Sequence, residues 1–127
     1  PHLVLEKTRR GDRDVSVSAV PAQEIYAGRT AILIDDIISS ARTMIETVRQ
    51  WTGSGMPGPV CLAVHGVFAA QAYESLLAAG ASRIVTTNSI PHESNRIDLA
   101  ALVADQARRT AALTTHAPDR HAPEARG

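Results

Sequence analysis

The chain has 127 residues, 44% hydrophobic and 20% charged, with a formal net charge of zero. That length carries one modest domain, and the charge balance gives no electrostatic basis for binding nucleic acid or an anionic membrane. One cysteine, Cys61, excludes an internal disulfide framework and reads as an inert thiol inside an apolar run.

No apolar run approaches the roughly 20 residues of a membrane span, and no signal peptide is visible, so a cytoplasmic location is expected. The chain starts with Pro1, not Met, and its first residues already read as strand, so a fragment of a longer reading frame is expected.

His2, Leu3, Val4 and Leu5 open a short strand that runs into Lys7, Arg9 and Arg10. Gly11, Asp12, Arg13 and Asp14 have turn chemistry, and Val15 and Val17 then alternate with Ser16 and Ser18. The pair predicts a hairpin or flap. A basic residue on a mobile flap can close over a polyphosphate. From spacing alone, a solvated surface hairpin is the alternative.

Pro21 argues against a central strand over 20–26, and Gly28-Arg29 is a turn. Residues 30–35 predict a buried core strand, which ends on the adjacent carboxylates Asp35 and Asp36. A loop of small and hydroxyl residues leads to Thr43. Met44, Ile45, Val48 and Trp51 then follow helical spacing, which predicts a helix over 43–52.

In an open parallel sheet, ligands bind beyond the carboxyl ends of the strands, where this loop would lie. A helix N-terminus attracts phosphate through unpaired N–H groups. Ser39, Ser40 and Thr43 can add hydroxyl donors, while Asp35 and Asp36 can accept from ribose hydroxyls, directly or through Mg²⁺. The bland alternative is a strand end with an Asp/Ser helix cap. Trp51 reads as a packing residue.

Gly- and Pro-rich residues 53–59 turn the chain, and 60–64 predict a second strand ending at His65-Gly66. His65 can touch ligand or metal-bound water, or be structural. Ala69, Tyr73, Leu76 and Leu77 share one face of a helix over 69–79, closed by Gly80. Residues 82–86 predict a third strand running into a polar loop.

Asp98 suits the N-cap of a last helix carrying Leu99, Leu102 and Val103, with Arg108 and Arg109 in its final turns. From about Thr114 the composition cannot bury much surface, so a 1–113 domain and a disordered 114–127 tail are expected. His116 and His121 lie in that tail without nearby Cys and do not suggest a metal site. The element order predicts an α/β fold: a three-layer parallel sheet with right-handed crossovers, helices on both faces and an N-terminal β-flap.

The string Ile34-Asp35-Asp36-Ile37-Ile38-Ser39-Ser40-Ala41-Arg42-Thr43 resembles the ribose-phosphate loop of type I phosphoribosyltransferases, which ribose-phosphate pyrophosphokinases share. Lys7-Thr8-Arg9 resembles the Lys-x-Arg motif that leads into the pyrophosphokinases' catalytic loop. Ala63-Val64-His65-Gly66-Val67-Phe68 and Val85-Thr86-Thr87-Asn88-Ser89-Ile90 are similar to the same family, in the right order. The likeness runs from about Leu3 to Val103 and matches the carboxy-terminal half of such an enzyme.

That resemblance implies a phosphoribosyltransferase-like fold and a ribose-phosphate diphosphokinase. The enzyme would transfer the β,γ-diphosphoryl group of ATP to ribose 5-phosphate, with Mg²⁺, as a homo-oligomer without nucleic-acid or membrane partners. By the same likeness Lys7 and Arg9 are catalytic, with Arg10 able to deputise for Arg9. Asp35 and Asp36 hold ribose hydroxyls, Asp35 is the candidate Mg²⁺ ligand, and Ser39, Ser40, Ala41, Arg42 and Thr43 wrap the 5-phosphate.

The chain also departs from the family. Arg42 stands where the family usually has Gly, and Ser39 where many members have Asp. Much of the family's ATP site comes from an amino-terminal half and a neighbouring subunit. The rival readings are a phosphoribosyltransferase that consumes phosphoribosyl pyrophosphate and a non-catalytic regulatory subunit that binds the sugar phosphate.

Overall fold

The computed structural model describes residues 2, 7–10, 14–17, 26 and 28–114. Of the expected 114–127 tail, Thr114 is helical and 115–127, with His116 and His121, lie outside the described residues, as do 3–6 and the expected turn residues 11–13. Two short strands, β1 (Lys7–Arg10) and β2 (Asp14–Val17), pair antiparallel with Lys7 opposite Val17 and Arg10 opposite Asp14.

The apolar, β-branched run from Ala31 builds β3 (Ile32–Ile38), which among the described residues is the first strand of a four-stranded parallel sheet. Its neighbours in order are β4 (Val60–Gly66), β5 (Arg83–Thr87) and the three-residue β6 (Asn95–Ile97). Ile34 pairs with Leu62 and Leu62 with Val85, so the three longer strands run level. The expected parallel α/β architecture is therefore present.

Within the sheet, one strand end and one added strand differ from expectation. β3 continues past the acidic pair to Ile38, because Ile37 and Ile38 pair with His65 and Gly66. β6 was not anticipated: a three-residue strand carries no periodicity. Its ladder is irregular between Thr86 and Thr87, and the Asn95 side chain helps to hold it by donating from Nδ2 to Thr87 O at 2.6 Å.

Helices α1 (Arg42–Gly53) and α2 (Ala72–Ala78) supply the crossovers. Met44 and Val48 of α1, and Ala72 and Leu76 of α2, form one buried cluster with Cys61, Ala63 and Ile84. Cys61 and Ala63 lie two apart and so share a sheet face. Ile32, Ile34 and Val64 are exposed. Trp51 is buried, as its packing role requires, and its Nε1–H donates to Pro57 O at 2.8 Å. Gly80 takes φ +110° to end α2, and the N–H of Ala81 returns to Leu76 O at 3.3 Å.

Helix α3 (Ala100–Thr114) belongs to a second compact unit that begins at Asp98. Asp98 does cap it: Oδ1 accepts the N–H of Ala100 at 2.9 Å. Asp105 and Arg109 form an i,i+4 ion pair at 3.0 Å on its surface. Among the described residues, no helix is long and apolar enough to cross a membrane.

Candidate functional site

Strand alternation sends Asp35 and Asp36 to opposite faces of β3. Both are exposed and locally tied: Asp35 Oδ1 accepts the N–H of Asp36 at 2.9 Å, and Asp36 Oδ1 accepts the N–H of Ile37 at 2.8 Å. A cavity of about 160 Å³ opens where β3 leaves the sheet, lined by Asp35 and the continuous run 37–44. Asp35, Ser39, Ser40, Ala41, Arg42 and Thr43 thus meet around one space, and Asp36 is outside its lining.

The loop reaches helix α1 through one left-handed residue, Ala41, at φ 56° and ψ 7°. The departure from glycine noted at Arg42 therefore carries no backbone strain: Arg42 is the first helical residue, and the strained position precedes it. Ala41 makes no side-chain cap, and the first turn of α1 contains no acidic residue. A helix start of this kind leaves backbone N–H groups without an intrahelical partner. Beside a cavity, those donors and the partial positive charge of the helix suit a phosphate. Ser39 and Ser40 are exposed and can add hydroxyl donors, and Arg42 brings a guanidinium.

His65 has a different task. Its Nδ1 lies 2.9 Å from Ser89 Oγ, and Ser89 Oγ and Thr87 Oγ1 both donate to Val64 O, at 3.0 and 2.6 Å. With both hydroxyl protons directed to that carbonyl, the tautomer with Nδ1–H satisfies the remaining contact. His65 ties the end of β4 to the loop after β5 and does not line the cavity. Cys61 is fully buried, and desolvation pushes its thiol up to about 12. The inert reading of this residue follows.

Lys7 and Arg9 are described by their backbone pairing in β1, opposite Val17 and Val15. Among the described residues, no group of three or more His, Cys, Asp or Glu gathers to hold a metal. Mg²⁺ does not need such a cage: it is commonly held by one or two carboxylates together with substrate oxygens. Asp35, a hard oxygen donor on the cavity wall, fits that pattern.

Ile37, Ile38 and Met44 also line the cavity, which their sequence pattern does not signal. Their apolar character pointed to the core, and Ile38 and Met44 are indeed buried. Nor did any signal mark Ala41 as left-handed, since that conformation is ordinarily announced by Gly, Asn or Asp.

Comparison with known proteins gives a consistent result. The profile of the phosphoribosyl synthetase-associated domain matches residues 20–113. The ribose-phosphate pyrophosphokinase of Sulfurisphaera tokodaii is 36% identical over 94 residues, which cover 73% of this chain and 32% of that protein. That of Sulfolobus acidocaldarius is 36% identical over 72 residues, covering 57% of this chain and 25% of the relative. Ribose-phosphate pyrophosphokinase 2 of Saccharomyces cerevisiae is 29% identical over 103 residues, covering 72% and 32% respectively. The chain spans about a third or less of the length of these curated relatives.

Proposed function

The chain belongs to the phosphoribosyl synthetase-associated domain family, and from that premise we propose that it carries the ribose 5-phosphate site of a ribose-phosphate diphosphokinase. The carrying observation is the single cavity that collects Asp35 and the loop 39–43 at the uncapped start of α1. The relatives' shared name, ribose-phosphate pyrophosphokinase, supports the same reading.

In the proposed reaction the 1-hydroxyl oxygen of ribose 5-phosphate attacks the β-phosphorus of ATP. The new O–Pβ bond forms as the bond from Pβ to the bridging α-phosphate oxygen breaks. AMP departs with that oxygen, and the hydroxyl proton passes to solvent. Catalysis here is mainly positioning plus charge neutralisation. Ser39, Ser40, Ala41, Arg42 and Thr43 hold the 5-phosphate, while Asp35 accepts from a ribose hydroxyl. Asp36 is assigned to the ribose by the family resemblance alone. Lys7 and Arg9, on β1, neutralise charge as the diphosphoryl group moves. Mg²⁺ held with Asp35 would supply positive charge against the phosphate oxygens. A cytoplasmic setting and a homo-oligomer that completes the ATP site belong to the same proposal.

A second reading, a regulatory subunit that binds the sugar phosphate without turnover, draws on Arg42, a bulky cation on the cavity wall. Calorimetric titration of the full chain with ribose 5-phosphate tests the shared part: saturable binding that inorganic phosphate displaces is expected, and no heat of binding would overturn it. AMP release in the presence of ATP, with the chain in its complete enzyme, separates the two readings.

A further inference from the structure

Three consecutive backbone N–H groups after β4 converge on the two carbonyls at which β3 turns into the cavity loop. Val67 and Phe68 both donate to Ile38 O, each at 3.0 Å, and Ala69 donates to Ser39 O at 3.1 Å. In a trans peptide the C=O and the following N–H point in opposite directions. Fixing those carbonyls therefore turns the N–H groups of Ser39 and Ser40 away from the brace, and both residues line the cavity.

The brace is a strained piece of chain. Phe68 has φ 28° and Ala70 has φ 50°, and neither is glycine. Such conformations persist only where the surroundings over-determine them. Here the surroundings are aromatic. The Phe68 ring lies 4.4 Å from the His92 ring and 5.3 Å from the Tyr73 ring, the latter edge-on at 78°. Gly66 leaves the room: a Cβ there would sit 2.7 Å from Phe68 Cε2 and 3.1 Å from Thr86 Cγ2. His92 is itself fixed, because Ser94 N–H donates to its Nδ1 at 3.1 Å. The buried Ser94 hydroxyl meets Thr86 Oγ1 at 2.7 Å.

We propose that Phe68 is a positioning residue for ribose 5-phosphate: its ring, seated on His92 and Tyr73, holds the 67–69 N–H groups against Ile38 and Ser39 and so sets the phosphate loop. Phe68 is outside the cavity lining and acts only through that loop. The proposal rests on the sugar-phosphate reading of the cavity.

An NMR titration of the full chain with ribose 5-phosphate tests it. Phe68→Ala should keep the core methyl signals of Val48 and Leu76 and weaken binding about tenfold or more. Phe68→Tyr, which keeps the ring, should bind within about twofold of wild type. Near-wild-type binding by Phe68→Ala, or equal loss in both variants, overturns the proposal. Should Phe68→Ala not fold, amide exchange at Val67, Phe68 and Ala69 in the wild type decides: slowing on saturation supports the brace, and unchanged exchange overturns it. If the wild type does not bind the sugar phosphate, the reading of the cavity has failed separately. The brace is then judged from ligand-free Phe68→Ala, where shifted Ser39 and Ser40 amides support it and unshifted ones overturn it.

Discussion

At Ala41 the backbone takes a conformation that an L-residue adopts at a cost of roughly 1–2 kcal/mol, and glycine adopts freely. Glycine loses more chain entropy on folding, which offsets roughly 0.5–1 kcal/mol of that gain. Ala41→Gly should therefore stabilise the chain by about 0.5–1 kcal/mol, read as a higher urea midpoint at unchanged slope. A lower midpoint would show that the Ala41 methyl, which is buried, contributes more packing than the turn costs. Cys61 gives a second prediction at this scale. Its folded pKa, about 12, lies above the ordinary 9.0 because burial disfavours the thiolate. The folded state therefore binds the proton more tightly, so its stability is intact below pH 9 and falls as pH rises from 9 towards 12. Labelling by a thiol reagent at pH 8 should follow the rate of unfolding, and rapid labelling of the native chain would contradict the burial.

The start of α1 is where stability and binding should move in opposite directions. An acidic residue in a first helical turn adds about 0.3–1 kcal/mol by complementing the helix dipole. Thr43→Asp places such a charge where the phosphate is proposed to sit, so it should raise thermal stability slightly and abolish ribose 5-phosphate binding. Binding that survives Thr43→Asp would move the phosphate elsewhere. The same region shows what a sequence reveals about elements. The core strand, the acidic pair and the amphipathic stripe of Met44, Val48 and Trp51 were legible, because apolar runs and helical spacing report burial directly. The end of β3 was not, because Ile37 and Ile38 extend it by pairing with His65 and Gly66, a non-local term. Nor was the start of α2 at Ala72 instead of residue 69: left-handed Phe68 and Ala70 interrupt an alanine-rich run whose propensity alone favours helix. The brace is invisible to side-chain pattern because its donors are backbone N–H groups, which every residue type but proline carries.

At the scale of the whole molecule, the two proposed tasks, holding the sugar and moving the diphosphoryl group, fall to residues in different parts of the chain. Apart from Asp35, the cavity residues run without a break from 37 to 44, from the end of β3 into the start of α1. Lys7 and Arg9, to which the proposed charge neutralisation is assigned, lie on β1, which among the described residues pairs with β2 alone. If that division holds, an interaction made only as charge develops should lower kcat and leave ground-state binding alone. In the complete enzyme, Lys7→Ala should lower kcat by about two to three orders of magnitude, the range seen when a preorganised charge-stabilising donor is lost. The dissociation constant for ribose 5-phosphate should stay within about twofold, since the lost cation contributes to a transition-state contact only. Equilibrium titration alongside steady-state kinetics separates the outcomes. A matched loss of affinity would make Lys7 part of the sugar-phosphate cradle, and unchanged kcat would remove the β1–β2 sheet from the mechanism.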